Sequence, residues 1–249
     1  MKISGFTFVH NAIESGYPVF EAIQAVCDYV DEVVVVDMKS TDNTKELLFD
    51  KFFPDIRILD GKWGDQAGET LKQAHSLYKK CSGDIILHFE ADEVYDDRLL
   101  HTIITLIRNG AEDVAVHRLQ IEQNFQRCRW YPELVHRIFP KSSDTVKDGH
   151  TTNRFNEAIP LHPENGFLWD ITNCFRDNWL NRVRKQAELW HGKDNYIMVP
   201  IHMMRDCEVK TAYITERLNE PHWTWEATPF DIPDILKPLV GMTKYEPTV

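Results

Sequence analysis

Two periods of hydrophobicity alternate through the first half of the chain. Ile3–Val9 is apolar at strand length. Pro18 then opens a helix in which Val19, Ile23, Val26 and Val30 recur on one face. Val33–Asp37 is a β-branched run closed by a carboxylate, the pattern of a strand covered on both sides. Ser40-Thr41-Asp42-Asn43-Thr44 supplies turn and cap chemistry, with Asp42 and Ser40 the expected caps of a helix over Lys45–Phe52. Ile56–Leu59 reads as a third strand, and Asp65–Lys80 as a helix with Leu71, Ala74 and Tyr78 in register. Asp84–Phe89 reads as a fourth strand. A helix capped by Asp96 or Asp97 then runs through Arg108, and Val114–Leu119 is a fifth strand.

Regular β-α order predicts an α/β fold with a mostly parallel central sheet and helices on both faces. Such sheets bind ligands beyond the carboxyl ends of their strands. Attention therefore falls on His10-Asn11, Asp37, Gly61–Asp65 and Glu90–Glu93. After about residue 120 the pattern changes. Trp130–Phe139 looks like a strand, Lys141–Asn156 like a polar loop and Asn178–Trp190 like a helix. Pro221, Pro229, Pro233, Pro238 and Pro247 suggest a tail that wraps the surface. The expected division is a ligand-binding half over 1–125 and an α-rich half over 126–249, packed together as one domain.

The chain has 249 residues, 43% of them hydrophobic and 27% charged, which fits one large globular domain and excludes collagen-like or low-complexity structure. Its net charge of −11 disfavours nucleic acid as a partner, because duplex binding depends on neutralising phosphates with cations. Anionic ligands remain open if a metal ion or helix N-termini hold them. The cysteines number five, an odd count, and none forms a CxxC pair. Free thiols, short apolar runs and an N-terminus without an apolar signal core predict a cytoplasmic protein with no membrane span.

Chemistry concentrates in His88-Phe89-Glu90-Ala91-Asp92-Glu93. Strand alternation would place His88, Glu90 and Asp92 on one side. Carboxylates spaced this way can share a hard divalent cation, Mg²⁺ or Mn²⁺, that bridges a diphosphate. The alternative is a solvated acidic turn capping the next helix. Asp37, at the end of its strand, is placed to accept from a base imide or a ribose hydroxyl.

Together these segments resemble the family 2 glycosyltransferases. The resemblance rests on Phe8-Val9-His10-Asn11, on Asp31–Asp37 with Ser40–Thr44, and on a strand ending in Glu90-Ala91-Asp92-Glu93. Trp63-Gly64-Asp65, Cys81–Leu87 and the Trp130–Phe139 strand add to it. It implies a GT-A fold that binds a nucleotide-diphosphate sugar, UDP-linked by expectation, and a transfer with inversion. It further implies that Asp92 coordinates the metal, with Glu90 as a second ligand or donor contact. Asp37 would meet the nucleobase, His10 and Asn11 would line the nucleoside pocket, and Asp65 would lie near the ribose or diphosphate. Glu93 would orient the loop or touch the sugar. Relatives carry a donor-site Glu directly after the strand-one Asn; here Ala12 and Ile13 intervene, and Glu14 is the candidate left for that role.

The sequence departs from the family pattern in its second half, where Asp148 and Glu157 both approximate the later acidic motif. Either is the candidate base that takes the acceptor hydroxyl's proton; the alternative for both is a surface loop. His202 ends an apolar run and is a candidate late metal or diphosphate ligand, or simply hydrogen-bonded structure. The acceptor is open among glycan, protein, small molecule and modified nucleobase, a long nucleic-acid acceptor being disfavoured by the charge. Two rivals stand beside this reading, a sugar nucleotidyltransferase and a binding module that keeps the sheet without catalysis.

Overall fold

The structure, a computed structural model, describes residues 1–64, 67–122, 127–143, 158–173, 197–199, 212–214, 225–227 and 232–240, with residues 242, 245 and 247. Its first half follows the expected order. Strand β1 (Ile3–Val9) leads through a one-turn helix α1 (Ala12–Ser15) to α2 (Val19–Cys27), then β2 (Glu32–Asp37), α3 (Thr44–Phe52), β3 (Ile56–Asp60), α4 (Ala67–Ser76) and β4 (Ile85–His88). A 3₁₀ segment, Leu77–Lys80, extends α4. A short strand that periodicity missed, β5 (Glu93–Tyr95), precedes α5 (Asp97–Arg108). Asp96 is the residue that caps α5, its Oδ1 accepting from the Arg98 N–H at 2.9 Å.

Later strands complete one ten-stranded sheet: β6 (Val114–Glu122), β7 (Arg127–Pro140), β8 (Ile159–Pro160), β9 (Leu168–Asn173) and β12 (Trp225–Ala227). Its main path runs β3-β2-β1-β4-β7-β6-β9-β5. The β3-β2-β1-β4 half is parallel. Strand β7 inserts antiparallel between β4 and β6, so β6 keeps the direction of the first four strands without touching them. Two further strands, β10 (Ile197–Val199) and β11 (Ala212–Ile214), pair apart from this sheet. The sheet thus contains strands from either side of residue 125. Among the described residues no α-helix follows α5; the expected helix over Asn178–Trp190 lies outside them.

Alternation along the central strands explains the two-sided core. Val33 and Val35 of β2 and Ile85 and Leu87 of β4 face one layer, with α2, Leu48 and Phe52 of α3, and the apolar face of α5. Val34, Val36 and Ile86 face the other, against Ala74 of α4 and Tyr78. All four valines are buried, each contributing about 1.5–3 kcal/mol by leaving water. Leu71, Ala74 and Tyr78 are buried in the register their spacing predicts. The C-terminal residues do more than wrap the surface. Leu236, Leu239 and Tyr245 join the first core layer, and the Tyr245 hydroxyl donates to Glu21 Oε2 of α2 at 2.8 Å. Among the described residues no helix is long and apolar enough to cross a membrane.

Candidate functional site

Parallel pairing aligns the carboxyl ends of the first strands. Val9 of β1 stands beside Asp37 of β2, and Asp37 beside Asp60 of β3. On the other flank Phe6 pairs with His88, so the residues after β4 emerge beside the end of β1. The chain runs outward from β1 to β3 and then returns to place β4 on the opposite side of β1. The crevice between β1 and β4 is therefore the switch point at which open α/β sheets form a ligand site.

The β1 and β2 loops are stapled together on one side of the crevice. Met38 N–H donates to the Val9 carbonyl at 2.8 Å, and the Met38 carbonyl lies 2.8 Å from His10 Nδ1, which fixes the proton on that nitrogen. The His10 ring stacks on Trp63, centroids 3.7 Å apart and planes 13° apart. Asn11 adopts a left-handed conformation, φ 49°, a region that Asn tolerates better than most residues. Its Oδ1 accepts from Thr41 N–H at 2.6 Å and from Asp42 N–H at 3.4 Å, while its Nδ2 donates to Thr41 Oγ1 at 3.1 Å. The Asn11 N–H donates to Ser40 Oγ at 2.9 Å. Ser40 therefore ties the loops together instead of capping α3. The cap position itself is Asn43, which makes no side-chain cap bond; Asp42, one residue earlier, accepts from Thr44 N–H at 3.0 Å. The second oxygen of Asp42 accepts from the Glu14 N–H at 2.9 Å. Glu14 itself is exposed on α1.

Asp37 is buried, and its two oxygens accept the Ser40 N–H at 3.3 and 3.2 Å. A carboxylate has about four lone-pair sites, so it retains capacity for a ligand donor. Gly61 closes the third side, its N–H donating to the Asp37 carbonyl at 2.8 Å. The glycine is required by space, since an added Cβ would strike Met38 Sδ and come within 3.0 Å of Val36 Cγ1.

The acidic segment does not continue β4. The strand ends at His88, whose ring packs in the second core layer near Phe6, Phe8 and His75. Phe89 is buried in the first layer, and residues 90–92 form a turn closed by the Glu93 N–H on the Glu90 carbonyl at 3.0 Å. The expected alternation of His88, Glu90 and Asp92 fails because a turn, not an extended strand, carries the last two. Asp92 is half-buried, and its carbonyl accepts from Ile171 N–H of β9 at 2.9 Å.

Beneath the turn lies a charged cluster. Arg137 of β7, fully buried, donates from Nε to Glu93 Oε2 at 3.0 Å, and from Nη2 to Glu93 Oε1 at 2.5 Å and Glu90 Oε1 at 2.6 Å. Arg118 lies 3.4 Å from Glu93 and 3.8 Å from Asp170. Burial pushes the Glu93 carboxyl up, with the Glu90 charge adding to it and Arg137 opposing. The Arg137 guanidinium stays charged, the two carboxylates outweighing burial.

The structure thus gathers His10, Asn11 and Asp37 on one side of the crevice and Glu90, Asp92 and Glu93 in one turn on the other. Asp65, Asp148, Glu157 and His202 lie outside the described residues. The sequence places Trp63 and Arg137 in quoted motifs without a role for either, and neither Arg118 nor Asp170 stands out in it. Arg137 had a signal, a charged residue inside the apolar run Val135–Phe139, because a buried guanidinium requires a carboxylate partner.

Among the described residues no group of three or more His, Cys, Asp or Glu side chains is arranged to hold a metal ion. The donor set nonetheless suits Mg²⁺ or Mn²⁺. Such ions keep water and are commonly held by one or two carboxylates plus substrate phosphates, and Asp92 and Glu90 offer hard oxygen donors at the sheet edge.

Residues 8–190 match the model of a known family, described as "Glycosyl transferase family 2". No curated protein matches the sequence. Among solved structures, S. aureus TarS 1–349 shares 15% identity over 75% of this chain and 64% of its own, with a TM-score of 0.42. The same TarS fragment in complex with UDP-GlcNAc shares 20% identity over 49% of this chain and 35% of its own, with a TM-score of 0.36. Glucosyl-3-phosphoglycerate synthase from Mycobacterium tuberculosis, in complex with Mn²⁺, UDP and glucosyl-3-phosphoglycerate, shares 22% identity over 48% of this chain and 44% of its own, with a TM-score of 0.35. The chain spans between about a third and two thirds of the length of these structures.

Proposed function

This chain belongs to glycosyl transferase family 2, and on that premise we propose that it transfers a sugar from a nucleoside diphosphate sugar, UDP-linked, to an acceptor hydroxyl with inversion. The observation that carries the reading is the crevice itself. A buried Asp37 and a fixed acidic turn containing Asp92 flank the carboxyl end of β1 at the sheet's switch point.

In the proposed reaction the acceptor oxygen attacks the anomeric carbon, the bond from that carbon to the diphosphate oxygen breaks, and the nucleoside diphosphate leaves with the electron pair. Asp148 or Glu157 takes the hydroxyl proton. Asp37 accepts from the nucleoside. Asn11 holds the β1 and β2 loops in the shape of its pocket, and His10 with Trp63 forms a flat wall beside it. Asp92, with Glu90, would hold a divalent cation, which when bound supplies positive charge to the departing diphosphate. His202 and Asp65 remain candidates for the same phosphate region, and Glu14 for the donor rim. The proposed acceptor is a glycan, a protein or a small molecule, the net charge of −11 disfavouring nucleic acid. The thiols of Cys27 and Cys81, which form no disulfide among the described residues, support a reducing, cytoplasmic setting.

Thermal-shift measurements with nucleoside diphosphates, with and without Mn²⁺, test the proposal. A ligand at about 100 times its Kd stabilises the native state by about 2.7 kcal/mol. In a chain of this size that raises Tm by roughly 5–10 °C. We expect a Mn²⁺-dependent shift with UDP that is lost in Asp92→Ala, together with Mn²⁺-dependent UDP-sugar turnover lost in the same variant. No shift with any nucleotide would overturn the reading. A shift without turnover on any donor would leave a binding module.

A further inference from the structure

We propose that Arg137 is a positioning residue for the donor site: its guanidinium, buried beneath the acidic turn, ties Glu90 to Glu93 and so fixes the loop in the shape that presents Asp92. The inference rests on the role given above to Asp92. Its basis is the arrangement of the bonds. Arg137 reaches from β7 to residues on either side of Asp92, with three N–H···O contacts of 2.5–3.0 Å. Glu93 Oε2 also accepts the backbone N–H of Glu90 at 3.1 Å, so the clamped carboxylate holds the turn's backbone as well as its side chains. Glu90 retains 22% side-chain exposure and could be solvated, yet its carboxylate is drawn inward to the guanidinium.

Arg118 lies farther off, its Nη1 3.4 Å from Glu93 Oε1 and 3.8 Å from Asp170 Oδ2. Lysine in place of Arg137 would keep the charge, but its single ammonium lacks the planar fork that serves two carboxylates at once. Arg137 and Arg118 are engaged by the carboxylates of Glu90, Glu93 and Asp170.

The test compares wild type, Arg137→Lys, Asp92→Ala and the double variant. It measures UDP binding in the presence of Mn²⁺ by calorimetry and amide hydrogen exchange across residues 89–93. Arg137→Lys is expected to melt cooperatively, to lose exchange protection in that turn and to bind UDP about tenfold more weakly. In the Asp92→Ala background the same change is expected to alter the affinity by less than about twofold, because coupled residues are non-additive. Affinity within about twofold of wild type in Arg137→Lys, or a full additional loss in the double variant, would overturn the inference. Should Arg137→Lys fail to fold, Glu93→Gln, which keeps the shape and removes the charge, is expected to show the same loss of protection and affinity; unchanged values there overturn the inference equally. A wild type that binds no nucleoside diphosphate removes the functional reading and this inference with it, whereas a binding wild type beside an unchanged Arg137→Lys overturns the inference alone.

Discussion

Asn11 offers a test in which backbone strain and hydrogen bonding can be separated by sign. Its φ of 49° lies in the left-handed region, and its side-chain amide is committed to Thr41 and Asp42. Asn11→Ala removes about two good hydrogen bonds, roughly 1 kcal/mol each. It also places a residue with a Cβ and no local hydrogen bond where the left-handed conformation costs about 1–2 kcal/mol. The sum is roughly 3–4 kcal/mol. Asn11→Gly loses the same bonds without the strain, but its unfolded chain gains about 0.4–1 kcal/mol of conformational freedom relative to alanine. Glycine should therefore be the more stable substitution by about 0.5–1 kcal/mol, the reverse of the order at an ordinary helix or strand position. Urea denaturation at neutral pH measures both variants against wild type. An alanine variant equal to or more stable than the glycine variant would refute the reasoning. Both should bind nucleotide more weakly than wild type, since the two loops lose their staple.

Tyr245→Phe should have a pH-dependent cost. Burial raises the Glu21 carboxyl above its usual 4.5, so the stability associated with that raised value is fully present below about pH 4.5 and is lost as pH rises through the folded-state value. The Tyr245 bond to the ionised form opposes that loss. Its removal should cost about 1 kcal/mol at pH 4 and about 1.5–3 kcal/mol at pH 8, and urea midpoints that shift equally at both pH values would contradict this. Gly61→Ala forces a Cβ against fully buried Met38 and should cost about 1–3 kcal/mol, and an unchanged thermal midpoint would show that the loop after β3 yields freely.

The parallel half was legible because its signals are local. Val33–Val36 could only be a strand covered on both faces, and helices α2 and α5 declared their buried sides through residue spacing. The switch point followed from element order. The place of β7 between β4 and β6 was not legible, since antiparallel insertion leaves no trace in the period of either neighbour. At Glu90–Asp92 the sequence leaves strand alternation and an acidic turn both open, because both conformations suit the same polar–apolar spacing over three residues. Asp37 and the acidic turn stood out as carboxylates at strand ends. The commitment of Asn11 to loop stapling and of Glu90 and Glu93 to Arg137 came from residues remote in sequence. Only tertiary structure could reveal those bonds.

The pairing of β4 also bears on the order in which the molecule assembles. This four-residue strand lies between β1 and β7, with Ile3 beside Ile85 and Phe139 beside Ile86. Neither neighbour is close in sequence, so each pairing closes a long loop before it gains anything from contact, and such non-local pairings form slowly. During synthesis β1, β2 and β3 can associate early, but β4 gains its second neighbour only after Pro140 has emerged. Arg137 arrives on that same strand. The half of the crevice proposed to read the nucleoside is therefore built first, and the acidic half, proposed to hold the diphosphate, is completed only when β7 docks, so the proposed phosphate site would be a late event in the birth of each molecule.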